Sequence, residues 1–98
     1  MATRIFWTRQ ARDDLRQIRA FIARDAPVTA SAFVGRIRGS VKRLEEFPES
    51  GQVVPEIRRE EIREVLCGNY RVIYRVGSER VDILAVYHSA RLLRDDEF

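Results

Sequence analysis

The side chains in this 98-residue chain with the means to do chemistry gather in its C-terminal third. Arg63, Arg71, Arg75 and Arg91 supply guanidinium groups there, and Tyr87 stands next to His88, the only histidine. An imidazole with an ordinary pKa of about 6.5 suits proton transfer at neutral pH, and guanidinium groups suit the binding of carboxylates or phosphates. Metal chemistry is not expected, because one histidine and the single cysteine, Cys67, make no clustered zinc-ligand set. The lone thiol cannot form an internal disulfide either, and it reads as a small core residue of a reducing compartment. No cofactor is expected.

The element that must position these groups is the stretch Ile62 to Val76. Two runs rich in β-branched and aromatic residues flank Gly68-Asn69, the chemistry of a tight hairpin turn. Counting outward from the turn pairs Cys67 with Tyr70, Val65 with Val72 and Arg63 with Tyr74 on one face. The other face receives Leu66 with Arg71, Glu64 with Ile73 and Ile62 with Arg75. The first face reads as core. The second puts Arg71 and Arg75 on one side of a sheet, and an open second face would carry a basic, partly aromatic surface ending at His88. Arg71 and Arg75 have a structural reading too, as partners of Glu64 or of the acidic tail.

Upstream, residues 4–7 form a short strand and Thr8 offers an N-cap oxygen to a helix whose apolar stripe is Ala11, Leu15, Ile18 and Ile22. Trp7, beside that helix start, reads as packed, and the arginines at 9, 12, 16 and 19 read as a solvated helix face. Pro27 opens a second helix with Phe33, Ile37, Val41 and Leu44 on its stripe. Gly35 and Gly39 are expected where the two helices approach closely. Residues 48–61 form the long loop, and long loops in compact domains are often functional. Residues 80–88 form a further strand, with Val81, Ile83 and Ala85 expected on one face and Leu84 and Val86 on the other. The acidic end is expected to fray or to rest on the surface.

The order is strand, helix, helix and three strands: an α+β domain with an antiparallel helical hairpin packed on one face of the sheet. At this length one domain spans residues 1–98. No stretch reaches transmembrane length and the N-terminus lacks a signal-like apolar region, so a cytosolic protein without membrane association is expected. The net charge of +3 suits an anionic partner.

The ordered set WT-x-x-A-x-x-DL at 7–15, IRE at 62–64, NYRVIYRV at 69–76 and ILAVYHSAR at 83–91 resembles the RelE/ParE superfamily of type II toxin–antitoxin toxins. The resemblance implies a bacterial toxin neutralised by a cognate antitoxin whose C-terminal segment wraps it. ParE-like members inhibit DNA gyrase and have no accepted catalytic residues; RelE-like members are ribosome-dependent mRNA endoribonucleases. In the RelE-like case Arg71 falls at the position of a phosphate-stabilising arginine and His88 at that of the general acid. Glu49 and Glu56 match the missing base by position only. Ser89 stands where that subgroup has a tyrosine, and its lysine patch is absent, since Lys42 is the only lysine. The ParE-like branch is the nearer one. There Arg63, Arg71, Arg75, Tyr87, His88 and Arg91 become candidate contacts for target or antitoxin. A non-toxic remnant that only binds its antitoxin is the third possibility.

Overall fold

The computed structural model describes residues 3–98. Along the chain run β1 (Arg4–Trp7), α1 (Arg9–Ala23), α2 (Pro27–Lys42), β2 (Gln52–Val53), β3 (Ile62–Cys67), β4 (Tyr70–Val76) and β5 (Arg80–His88). Short 3-10 turns follow α2 at Arg43–Glu45 and close the chain at Asp95–Glu97. The strands form one sheet in the spatial order β1, β5, β4, β3, β2, in which β1 runs parallel to β5 and all other neighbours are antiparallel. The expected α+β arrangement is the observed one. The sheet is wider than expected, because β1 joins it beside β5 and the long loop contributes the two-residue β2 at the opposite edge.

Local chemistry explains most boundaries. Gly68 sits at φ 59°, a left-handed conformation that glycine adopts without a Cβ penalty, and the six predicted β3–β4 pairs all form around it. The Thr8 hydroxyl oxygen accepts from the Ala11 N–H at 3.1 Å and donates to the Ile83 carbonyl at 2.7 Å, so one side chain both caps α1 and ties its start to β5. Pro27 lies in the first turn of α2. Between the helices and the sheet, Leu15, Phe33, Ile37, Val41 and Leu44 pack on Val72, Tyr74, Val81, Ile83 and Val86.

Gly35 and Gly39 are not at the helix–helix contact. Both are exposed, and a Cβ added at either would meet no atom within 4 Å. Gly35→Ala and Gly39→Ala should therefore each raise stability by roughly 0.5–1 kcal/mol, because only the helix-propensity term changes. Urea unfolding of the two single variants checks this. An unchanged or lowered midpoint would mean that the outer face of α2 is covered.

Strict alternation fails once in β5. Ile73 pairs with Ala85 and Tyr74 with Ile83, which leaves Leu84 as an extra residue in the strand. Beyond this bulge the faces exchange. Val81, Ile83 and Val86 lie in the helix-side core, whereas Ala85 lies in a second apolar cluster across the sheet. The expected grouping of Ala85 with Val81 is thereby corrected. Asp14 of α1 accepts from the Val86 N–H at 3.1 Å just past the bulge, and burial there pushes its carboxyl pKa up.

The second face is not open. The loop after β2 and the C-terminal segment fold across it, bringing Val54, Ile57 and Leu93 onto Ile62, Ile73 and Ala85. The end of the chain is likewise anchored rather than frayed. Leu93 is buried, Arg94 N–H donates to the Glu97 carboxylate at 2.8 Å, and Arg59 donates to the Phe98 carbonyl. Loop and tail supply the backing that the helices supply on the other side.

Candidate functional site

Arg71 stands at the centre of that covered face. Its guanidinium is buried and donates to Glu64 at 2.9 Å, to Glu56 at 3.1 Å with a second, shorter bond to the same carboxylate, and to the Arg91 carbonyl. Glu56 also accepts from the Leu93 N–H at 3.1 Å. One cation thus joins a sheet strand, the long loop and the C-terminal segment. The Arg71 bonds hold the Glu56 carboxyl down at about 2, against a part-exposed carboxylate's usual value of 4.5.

That depression has a sign. Glu56 binds its proton more weakly in the folded chain, so its stabilising effect is complete above pH 4.5 and is lost as the pH falls towards about 2. The effect is on the order of 1–3 kcal/mol after solvent screening. Acid titration of the unfolding midpoint over this window should show the loss, and Glu56→Gln should flatten it. A wild-type curve with no such slope would sink the assignment.

The other candidate residues divide by face. Arg63 faces the helix side, where its side chain donates to the carbonyls of Gly51 at 2.9 Å, Glu60 at 3.0 Å and Glu49 at 3.3 Å. It organises the loop. Arg75 is half-buried on the second face, opposite Ile62 and Asp82. Tyr87 pairs across the sheet with Arg71; its hydroxyl accepts from Gln10 at 2.6 Å and its ring carries Arg91 at 4.1 Å. Arg91 is exposed and pairs with Glu97 at 2.8 Å.

His88 goes the other way. It pairs with Tyr70, its ring meets the Tyr70 ring edge-on at 5.5 Å, and its Nδ1 accepts from the Ala90 N–H at 3.0 Å. Tyr70 packs on Phe33 of α2, so His88 belongs to the helix side while Arg71 belongs to the loop side. The structure does not bring the two together. Glu56 is placed beside Arg71, as its partner, and Glu49 contributes a backbone carbonyl to Arg63.

A second feature was not expected. A groove of about 830 Å³ opens between α1, the C-terminal half of α2 and β1. Ile5, Trp7, Leu15, Val34 and Val41 give it apolar walls, and Arg12, Arg16, Arg19, Arg38 and Lys42 line it with only Glu45 in opposition. The signal was in the sequence, as a one-sided run of arginines on α1. What was missing was that α2 would set two more cations across from it.

Residues 5–93 match the family model described as ParE toxin of type II toxin–antitoxin system, parDE. The chain belongs to the ParE toxin family. This ParE-family chain is also 32% identical over 88 residues to a protein named Toxin RelE2 of Caulobacter vibrioides, a match spanning 90% of this chain and 97% of the relative. Its fold is shared with the structure titled chromosomal ParDE TA system from P. aeruginosa, at a TM-score of 0.75 and 23% identity over 89% of this chain and 96% of that one. It is similar as well to the RelBE2 toxin–antitoxin complex of Mycobacterium tuberculosis, at a TM-score of 0.59 and 27% identity over 90% and 99%. The family accounts for the fold and for the role of toxin in a type II system. Among the described residues no group of three or more metal-ligating side chains comes together, and no helix is long and apolar enough to cross a membrane.

Proposed function

We propose that this toxin stops growth by binding DNA gyrase through protein contact, without bond-making chemistry of its own, and that a cognate antitoxin neutralises it in the cytoplasm. The observation that supports this reading over the nuclease is the division of Arg71 and His88 between opposite faces of the sheet. In-line attack by a ribose hydroxyl needs a base, an acid and a cationic donor converging on one phosphate. Here the donor is committed to two carboxylates, buried Glu64 and part-exposed Glu56, and the imidazole lies across the sheet from it. The match to the ParE model favours the same side, since gyrase is the target that the ParE resemblance implies. The basic groove suits an acidic antitoxin segment by charge and by its apolar walls.

The test adds the purified chain to gyrase and relaxed plasmid, and in parallel to translating ribosomes with end-labelled mRNA. Inhibited supercoiling with intact mRNA is the expected result. The His88→Ala variant should inhibit gyrase as the wild type does. Cut mRNA, with cleavage lost in a folded His88→Ala variant, would replace this reading by the ribosome-dependent endoribonuclease. No effect in either assay would leave an antitoxin-binding remnant.

A further inference from the structure

At the corner of the second face where β1, β5 and β4 meet, positive charge is left over. Ile5 and Trp7 of β1 pack towards the helices, as do Val81 and Ile83 of β5 and Tyr74 and Val76 of β4. By alternation Arg4, Phe6, Arg80, Asp82 and Arg75 project from the opposite face. The parallel register sets Arg4 beside Arg80 and Phe6 beside Asp82, and the antiparallel one sets Arg75 on the other side of Asp82. Three guanidinium groups thus share two adjoining rows with one carboxylate. That carboxylate is already engaged, since Asp82 Oδ1 lies 2.8 Å from Arg80 Nε. Among the described residues neither Arg4 nor Arg75 pairs with a carboxylate.

Like charges set opposite each other on strands about 4.8 Å apart repel. Arg4 and Arg80 are both exposed, and Asp82 offsets only one of them. Phe6 is 49% exposed beside them, with the Arg80 guanidinium 5.2 Å from its ring centroid. We infer that this corner is a site for the phosphodiester backbone of a nucleic acid, with Arg4, Arg75 and Arg80 donating to phosphate oxygens and the open side of the Phe6 ring meeting sugar or base. Phosphates supply the missing negative charge, and planar guanidinium groups match their oxygens with paired donors. An aromatic ring among cations is the usual make-up of such a surface. A protein partner would need several apolar anchors, and Phe6 is the one exposed apolar side chain on these rows. A second copy of the chain would bring its own arginines against these. The site stands without the gyrase reading; naming DNA as its ligand rests on that reading, in which the toxin touches the enzyme and the DNA it holds together.

The test titrates the full-length chain into a short labelled DNA duplex of random sequence and follows fluorescence anisotropy over a range of salt. Neutralising three phosphates predicts a slope of about −2.7 in log affinity against log salt. The Arg4→Gln, Arg75→Gln double variant breaks no ion pair and should melt with the wild type. It should lose about 1.8 units of the slope and bind about tenfold or more weaker at low salt. Arg4→Gln alone, at an exposed position, should lose about 0.9 of a unit, which keeps the site testable if Arg75 proves necessary for folding. Arg16→Gln with Arg38→Gln, in the groove between the helices, should leave the slope unchanged. A slope that falls with the groove pair and not with Arg4 and Arg75, a slope near zero, or no binding at low salt would each overturn the site. Single-stranded RNA bound more tightly than the duplex, with the same losses in the variants, would keep the phosphate site and overturn DNA as its ligand. A chain that binds DNA in this way but spares gyrase loses only the target, and one that inhibits gyrase with a slope indifferent to Arg4 and Arg75 loses only this site.

Discussion

Arg71→Ala is expected to lower the free energy of unfolding by about 3–5 kcal/mol, because it leaves Glu56 and Glu64 facing each other without their shared cation. A domain of this size has only about 5–15 kcal/mol in hand. The melting temperature should therefore fall by roughly 15 °C or more. The loss is not simply that of an ion pair. The guanidinium also holds the Arg91 carbonyl, and through Glu56 it holds the Leu93 N–H, so the loop and the C-terminal segment lose their common anchor together. Arg71→Lys should recover only part of the stability, since an ammonium cannot reproduce the forked contact with two carboxylates. Replacing all three charges at once, as Arg71→Met with Glu56→Gln and Glu64→Gln, should be milder than Arg71→Ala alone. Thermal unfolding of the four proteins checks the order; an Arg71→Ala variant within 1 kcal/mol of wild type, roughly the scale of an exposed pair, would remove Arg71 from the centre of the fold. The consequence for function is direct. Loss of toxicity in an Arg71 variant says nothing about catalysis until its fold has been measured.

Gly51 is not a residue that alternation or charge would single out, and the second large effect falls at that position, Gly51→Ala. A Cβ there would stand 2.5 Å from the Glu64 carbonyl oxygen and 2.5 Å from the Tyr74 hydroxyl. The carbonyl belongs to β3 and cannot yield without disturbing the ladder. The Gly51 N–H donates to the Tyr74 hydroxyl at 3.0 Å and its carbonyl accepts from Arg63 at 2.9 Å, so displacing Gly51 breaks both. The expected cost is about 2–3 kcal/mol. Tyr74→Phe removes one of the two obstructing oxygens, so the Gly51→Ala, Tyr74→Phe double variant should be less destabilised than the sum of its parts by about 0.5–1 kcal/mol. Strict additivity in urea unfolding would show that the hydroxyl is not part of the obstruction.

Much of this architecture was legible beforehand, for identifiable reasons. The hairpin register followed from Gly68 and the pairing rule, the start of α1 from Thr8, and that of α2 from Pro27. Three things were not legible. The bulge at Leu84 lies in the run Ile-Leu-Ala-Val, which is apolar in either register, so the pattern carried no sign of the exchange of faces. The cover on the second face comes from Val54, Ile57 and Leu93, which are visible as apolar residues but have no periodicity to say where they land. The groove depends on the relative placement of two helices, which a stripe on one helix does not reveal. For the candidate site, the residues near the chemistry were found by type. Their faces were not, because a face past a bulge is a property of the pair of strands.

The extra residue in β5 has an implication for how function diverges on this scaffold. Side-chain direction along a strand is a matter of parity, and one inserted residue inverts it for everything downstream. With Leu84 in place, Tyr87 shares a side with Arg71 and His88 does not. Were Leu84 taken into the ladder without a bulge, the register would slip by one residue, His88 would stand opposite Asn69, and the same histidine and the same arginine would share a side. Whether one residue is bulged or paired thus decides which chemically able side chains meet, with every one of them retained.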